Sequence, residues 1–311
     1  MAGPMTVRPP AVAGSFYPRE PARLDQLVSA LFETAAQLPA VGAAGMPGTD
    51  LPVGILVPHA GIVYSGVPAS AGWLCLRTAP GQARSAGGDP LTVVILGTNH
   101  GAGWLDGVGA WEAGSWALPA GELAVDAALA AEVVALGPPF TVDRAAHWAE
   151  HSIEVQLPLL AAVAPAARIV PLAVSAGTGS PAIEAGTRLG RLLAARHAAG
   201  ECIVLAISTD MAHYPAADAC ARATEAQLPS ILEMDPVGLA GVEARLRSAG
   251  IRGLACGMCG VQPAVLGLAA LRAMGATAGT ALAASTSADA GGPPDRTVGY
   301  LAVRFDIVPV S

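Results

Sequence analysis

The chain of 311 residues contains no lysine: all 17 of its basic residues are arginine. That absence excludes a Schiff-base lysine, a pyridoxal-phosphate lysine and the lysine of a phosphate-binding P-loop. Charge of either sign is scarce, at 13% of residues, and the balance is -7. The basic footprint of a nucleic-acid binder is therefore missing. Five cysteines (75, 202, 220, 256 and 259) are too few for a disulfide scaffold at this length. The opening MAGPMTVRPPAVAG has no apolar core of signal-peptide length, so a reducing, cytoplasmic setting is expected. One uncharged run, Leu254 to Leu271, is long enough to imitate a membrane span. It holds three glycines, Gln262 and Pro263, and reads instead as a loop leading into a buried helix, with no membrane partner.

What is present is apolar: 53% hydrophobic residues, with 37 Gly and 26 Pro as punctuation. Such a chain buries a large core and is not disordered. Short apolar runs closed by turn residues read as buried strands at Val53–Val57, Leu91–Leu96, Arg168–Val174, Cys202–Ile207, Thr280–Ala284 and Thr297–Phe305. Helical stretches are expected at Arg19–Leu38, Gly66–Arg77, Leu123–Leu136, Ser152–Val163, Pro181–His197, Ala216–Gln227, Pro236–Ser248 and Gln262–Met274. Ala40–Pro52, rich in Gly and Pro, reads as a loop. Strands alternating with helices predict an α/β fold: an open, mainly parallel sheet with helices on both faces. No repeat, charge block or convincing linker divides the chain, so residues 1–311 are taken as one domain.

In open α/β sheets, ligands collect beyond the carboxyl ends of the strands, where loops converge. His59 follows GILVP, His100 follows TVVILGTN, and Asp210 with His213 follows CIVLAIST. Three of the six histidines thus stand just past three different strands, which points to a shared metal or catalytic centre. For any one of them alone, the plain reading is a hydrogen-bonded loop residue. A divalent transition metal also wants an anionic ligand, for which Asp210, Glu150, Glu154 and Cys259 are candidates. Cys256 and Cys259 form a CxxC without a second half. One of the two is assigned a metal-thiolate role and the other is left open.

A rival constellation is HWAEH, His147 to His151, which matches the HxxEH pattern of inverted zinc metallopeptidases. On a helix His147 and His151 would share a face, with Glu150 activating water. Helical periodicity begins only near Ser152, however, and five-residue patterns arise easily by chance. His151 and Glu154, at i and i+3, are expected as supporting groups.

Six blocks occur in order along nearly the whole chain: RPPAVAGSFYP (Arg8–Pro18), PHAGIVYSG (Pro58–Gly66), LGTNHG (Leu96–Gly101), EHSIEVQLP (Glu150–Pro158), STDMAHY (Ser208–Tyr214) and CGVQPAVLGL (Cys259–Leu268). In these the chain resembles the Memo family, whose prokaryotic members are called AmmeMemoRadiSam system protein B. The resemblance implies a fold similar to class III extradiol dioxygenases, the non-haem Fe(II) enzymes that open catechol rings. It also implies His59, His100 and Cys259 as metal ligands, with His213 and Asp210 completing the pocket. His151 and Glu154 fall in a shared block. Cys256 and His147 are not part of the pattern.

These residues lead to three functional expectations. The first is a redox protein holding Fe(II) or Cu, with Zn as an alternative ion, acting on a small molecule. The second is a non-enzymatic protein whose cleft receives a peptide, as human relatives are thought to bind phosphotyrosine peptides. Only arginine could supply a cation for such a phosphate here. The third is a ring-cleaving dioxygenase with His213 as general base and Asp210 holding its imidazole. A thiolate in place of the usual carboxylate is softer and vulnerable beside activated oxygen, which argues against ring cleavage. The family name adds co-occurrence with a radical-SAM protein, and so a pathway partner, by association alone.

Overall fold

The computed structural model describes residues 6–43, 51–77 and 90–308. In chain order the elements begin with β1 (Val7–Arg8), α1 (Pro21–Ala36), α2 (Pro39–Ala43), β2 (Gly54–Val57) and α3 (Ile62–Leu74). There follow β3 (Thr92–Thr98), β4 (Gly107–Ala110), β5 (Ser115–Leu118), β6 (Gly121–Val125), α4 (Ala127–Ala135) and β7 (Phe140–Val142). The second half runs α5 (Leu157–Val163), β8 (Arg168–Ser175), α6 (Ser180–Ala198), β9 (Ile203–Ser208), α7 (Ala217–Leu232), α8 (Pro236–Ser248), α9 (Val261–Ala273), β10 (Ala278–Thr286) and β11 (Gly299–Asp306).

Among the described residues, eleven strands form a single sheet whose main path is β1-β5-β6-β8-β3-β9-β2-β11-β10, with β4 and β7 attached beside β8. The central strands β8, β3, β9 and β2 are mutually parallel, while β11 and β10 close one edge antiparallel. Every residue of β2, β3 and β9 is buried, as expected for parallel strands covered on both faces. Side chains of successive strand residues point to opposite faces, and close approaches show which helix covers each. A Cβ on Gly72 of α3 would strike Val57, whereas one on Gly267 of α9 would meet Ile207 and Leu96. Leu56 is paired with Ile207 and Ile207 with Leu96, so α9 covers the face of Leu56 and α3 the opposite face of Val57. The expected mixed α/β sheet with flanking helices is what the chain forms.

The long buried runs are strands where expected, within two residues at most ends. Helix α1 opens on Pro21, where a missing N–H costs nothing, and buries Leu24, Val28, Leu31 and Ala35 on one stripe. Three expectations need correction. Leu123–Leu136 is not one helix: β6 runs to Val125, and the Asp126 carboxylate then accepts the Leu129 amide at 3.0 Å as the cap of α4. Ser152–Val163 begins as a turn and a short 3₁₀ segment, Glu154–Gln156, before α5 starts at Leu157. The Ala40–Pro52 loop begins inside α2, and its residues 44–50 lie outside the described residues. Among the described residues no helix is long and apolar enough to cross a membrane. Leu254–Leu271 comprises the irregular segment carrying Cys259 and then most of α9.

Candidate metal centre

Strands β3, β9 and β2 lie side by side and parallel, so their carboxyl ends open onto one rim. His100 follows β3 by two residues, Asp210 follows β9 by two, and His59 follows β2 by two. Cys259 arrives from another direction, two residues before α9, and its amide donates to the Asp210 carbonyl at 3.2 Å. The hydroxyl of Thr209 accepts the Gly260 amide at 2.9 Å, which ties the start of α9 to the end of β9.

One donor atom each from His59, His100 and Cys259 lie within 4.8 Å of one another. The His59 Nε2 to Cys259 Sγ distance is 3.3 Å. A tetrahedral ion with ordinary metal–nitrogen and metal–sulfur bonds needs such donors about 3.5 Å apart. The two imidazoles and the sulfur therefore fit a single transition-metal ion. Among the described residues, two further sets meet the same 4.8 Å limit: His100 with Glu150 and His151, and Asp210 with His213 and Cys259.

The charges of this cluster are set mainly by burial. His59 is 1% exposed, and loss of water holds its pKa well below the ordinary value, helped by the neighbouring His100 and His151. Burial, then the Asp210 charge, pushes the Cys259 thiol well above its usual value. Asp210 is raised to about 7 by burial, against the pull of two backbone amides. Those amides belong to His59 and Ala60, at 2.7 and 3.2 Å from Oδ1. Burial also lowers His151 and His213. Glu150 goes the other way. Its burial would raise it, but hydrogen bonds from the His100 ring and from the Ser152 and His100 amides hold it far below the carboxylate range.

Asp210 does not hold the His213 imidazole, contrary to the sequence expectation. His213 Nδ1 donates to the Met211 carbonyl at 2.8 Å, while Asp210 is occupied by the backbone that carries His59. The backbone of His213 is itself bridged to Cys256 on one side and Val298 on the other. Cys256 thus helps to place His213 through its main chain.

Glu154 is also elsewhere. Its carboxylate takes Arg8 at 2.7 Å, the Tyr17 hydroxyl at 2.7 Å and the amides of Ala11 and Val12, and so anchors the N-terminal segment. His151 does line the cleft: its ring stacks on His100 at 4.6 Å and lies edge-on to His59 at 5.5 Å. The HxxEH reading fails on geometry. His147 sits in a 3₁₀ turn, fully buried, with its Nε2 donating to the Gly109 carbonyl at 2.8 Å. The amides of His151 and Ser152 are taken by the Glu150 carboxylate, so no helix carries His147 and His151 on one face.

Beyond the donors, the cleft has a volume of about 420 Å³ and includes Phe16, Tyr64, Tyr214 and Tyr300 in its lining. Ser208, Gln156 and the orienting role of Glu150 were missed from the sequence. Ser208 and Gln156 fall within shared blocks, but nothing in their spacing marks them as neighbours of His59.

The family described as Memo-like protein matches residues 8–304. A MEMO1 family protein of Methanopyrus kandleri is 33% identical over 304 residues, covering 96% of this chain and 98% of the relative. Another from Methanothermobacter thermautotrophicus is 33% identical over 297 residues, covering 94% and 98%. A third from Aquifex aeolicus is 31% identical over 306 residues, covering 97% and 100%. Among solved structures, an uncharacterized protein from Escherichia coli K12 is similar at a TM-score of 0.47 and 15% identity, covering 81% of this chain and 98% of that one. By the span of the family match and the identity of the three MEMO1 family relatives, the chain belongs to the Memo family.

Proposed function

We propose that the protein binds a redox-active transition metal, Fe(II) or Cu, through His59, His100 and Cys259, and acts on a small molecule held in the adjoining cleft. The observation that carries this reading is the convergence of those three donors, from two strand ends and the approach to α9, within 4.8 Å. Thiolate with imidazole suits copper, zinc or thiolate-bound iron. Zinc would bind without supplying electrons. A bound ion would contribute Lewis acidity and, for iron or copper, one-electron chemistry.

The chain's own residues have separate roles in this reading. Glu150 accepts the ring N–H of His100 and so orients it. His213, kept neutral by burial, is the base that would take a proton from a bound substrate. Asp210 holds the His59 turn rather than the base. Phe16, Tyr64 and Tyr214 line the approach. Ring cleavage of catechols is the less favoured activity because the sulfur would lie next to activated oxygen.

A second reading, a peptide-binding cleft, is favoured by one observation. The Arg296 guanidinium lies 4.4 Å over the ring of Tyr214, which places a cation at the rim of the same aromatic cleft. The deciding experiment is metal content after anaerobic purification without added metal, in the wild type and in Cys259→Ala. Near-stoichiometric iron or copper in the first and its loss in the second are expected. Metal retained by the variant would remove Cys259 from the ligand set, and no bound metal in either protein would overturn the metal reading and leave the peptide cleft.

A further inference from the structure

An imidazole can offer a metal only the nitrogen that carries no proton, so a histidine ligand is useful in one of its two neutral forms. The surroundings of His59 select between them. Trp73, on α3, is fully buried, and its indole N–H, which can only donate, points at Gln156 Oε1 at 2.8 Å. The Gln156 amide nitrogen consequently faces the Pro58 carbonyl and the Ser208 hydroxyl, each at 2.9 Å. The Pro58 carbonyl, which can only accept, requires the same orientation.

Ser208 closes β9 and is fully buried. Its Oγ lies 2.6 Å from the Ser152 carbonyl oxygen, a separation that demands the serine proton between them. A hydroxyl has one proton and two lone pairs. With the proton given to Ser152 and one lone pair facing Gln156, only a lone pair remains for His59 Nδ1, which is 3.1 Å away.

We infer that Ser208 is a positioning residue that holds His59 in the Nδ1–H form, leaving the bare Nε2 aimed at the Cys259 sulfur 3.3 Å away. Gln156, oriented from both ends, keeps the serine from turning. Each donor and acceptor in this set is used once, and the opposite form of His59 would set two acceptors against one proton. The consequence for metal binding rests on the reading proposed above; the assignment of the proton does not.

The test is two-bond ¹H–¹⁵N spectroscopy of the metal-free protein with ¹⁵N-labelled histidine, His59 being assigned by its absence in His59→Gln. His147 provides an internal standard of the opposite form, because its Nε2 donates to the Gly109 carbonyl. The wild type is expected to show a protonated Nδ1 and a bare Nε2 at His59. Ser208→Ala is expected to shift the ring toward the Nε2–H form. Ser208→Cys, a weaker acceptor, should move it in the same direction and serves if the alanine variant does not fold.

A protonated Nε2 in the wild type, or an unchanged ring in the folded variants, overturns the inference. In a separate arm, Zn²⁺ titration of Ser208→Ala is expected to give an affinity about 10–100-fold below the wild type. A wild type with the expected ring form that takes up no Zn²⁺ would support the role of Ser208 while removing the metal reading.

Discussion

His100 and Glu150 are joined twice: ring Nδ1 lies 3.0 Å from Oε1, and the His100 amide lies 2.7 Å from Oε2. One carboxylate therefore fixes both the backbone and the imidazole of a candidate ligand. This is the supporting geometry by which metal-binding histidines are commonly oriented. Glu150→Gln keeps the shape, but its amide nitrogen cannot accept, so one of the two contacts to His100 is lost. Metal affinity is expected to fall about 10–100-fold while the far-ultraviolet circular dichroism spectrum stays the same. Competition with a chromophoric chelator measures the ratio, and an unchanged affinity would show that His100 needs no orienting group.

What the sequence revealed, and what it hid, follow from how locally each feature is encoded. β3 and β9 are buried on both faces, so their apolar character is continuous and visible in one window of residues. β4 to β7 are three to five residues long, contain Gly107, Gly109 and Gly121, and take their places by pairing, β4 and β6 with β8, β5 with β6 and β7 with β4, rather than from any pattern of their own. The positions of His59, His100 and Asp210 past strand ends were legible for the same reason as the strands. Their partners were not. Glu150 meets His100 across fifty residues, and Ser208 meets His59 across 149, with no periodicity to connect them. Glu154 looked like a neighbour of His151, but the turn at Ser152 and Ile153 points its carboxylate toward Arg8 instead.

The Arg8–Glu154 ion pair has side chains only 1% and 0% exposed. Arg8 also donates to the carbonyls of His147 and Glu150, and its guanidinium lies 4.1 Å from the centre of the Trp116 ring. Arg8→Met would leave a buried carboxylate without its cation, which is expected to cost about 3–5 kcal/mol. Combining it with Glu154→Gln should cost less than the sum of the two single changes, because the double variant strands no charge. Urea unfolding of the four proteins measures this coupling. A loss below about 1 kcal/mol for Arg8→Met would mean that the pair contributes little to holding the N-terminal segment.

Acid should weaken the fold through His147. Burial lowers its pKa from 6.5 to about 4 despite the hydrogen bond to Gly109, so the folded protein carries the ring neutral where the unfolded chain protonates it. The unfolded state binds more protons between those two values, and stability therefore falls as pH drops from about 6.5 to about 4. That interval corresponds to a loss of about 3 kcal/mol. The stability contribution is fully present above the upper limit. Thermal unfolding across this range, compared with His147→Gln, isolates the effect: the wild type should lose stability more steeply than the variant. Parallel curves would assign the acid sensitivity to other groups.

Metal binding should release a proton, and its source should be the cysteine. Burial and the Asp210 charge hold the Cys259 thiol protonated well above its ordinary range, whereas an ion accepts only the thiolate. His59, lowered by burial, is already neutral at pH 7 and has no proton to give. Calorimetry of Zn²⁺ binding in two buffers of different ionisation enthalpy should therefore report about one proton released from this pair of donors per ion, and affinity should rise about tenfold per pH unit near neutrality. Cys259→Ala should lose most of the affinity, and any Zn²⁺ it still takes up at high concentration should bind without the proton release or the steep pH dependence. Binding to the wild type that is insensitive to pH between 6 and 8 would mean that the sulfur stays protonated and lies outside the coordination shell.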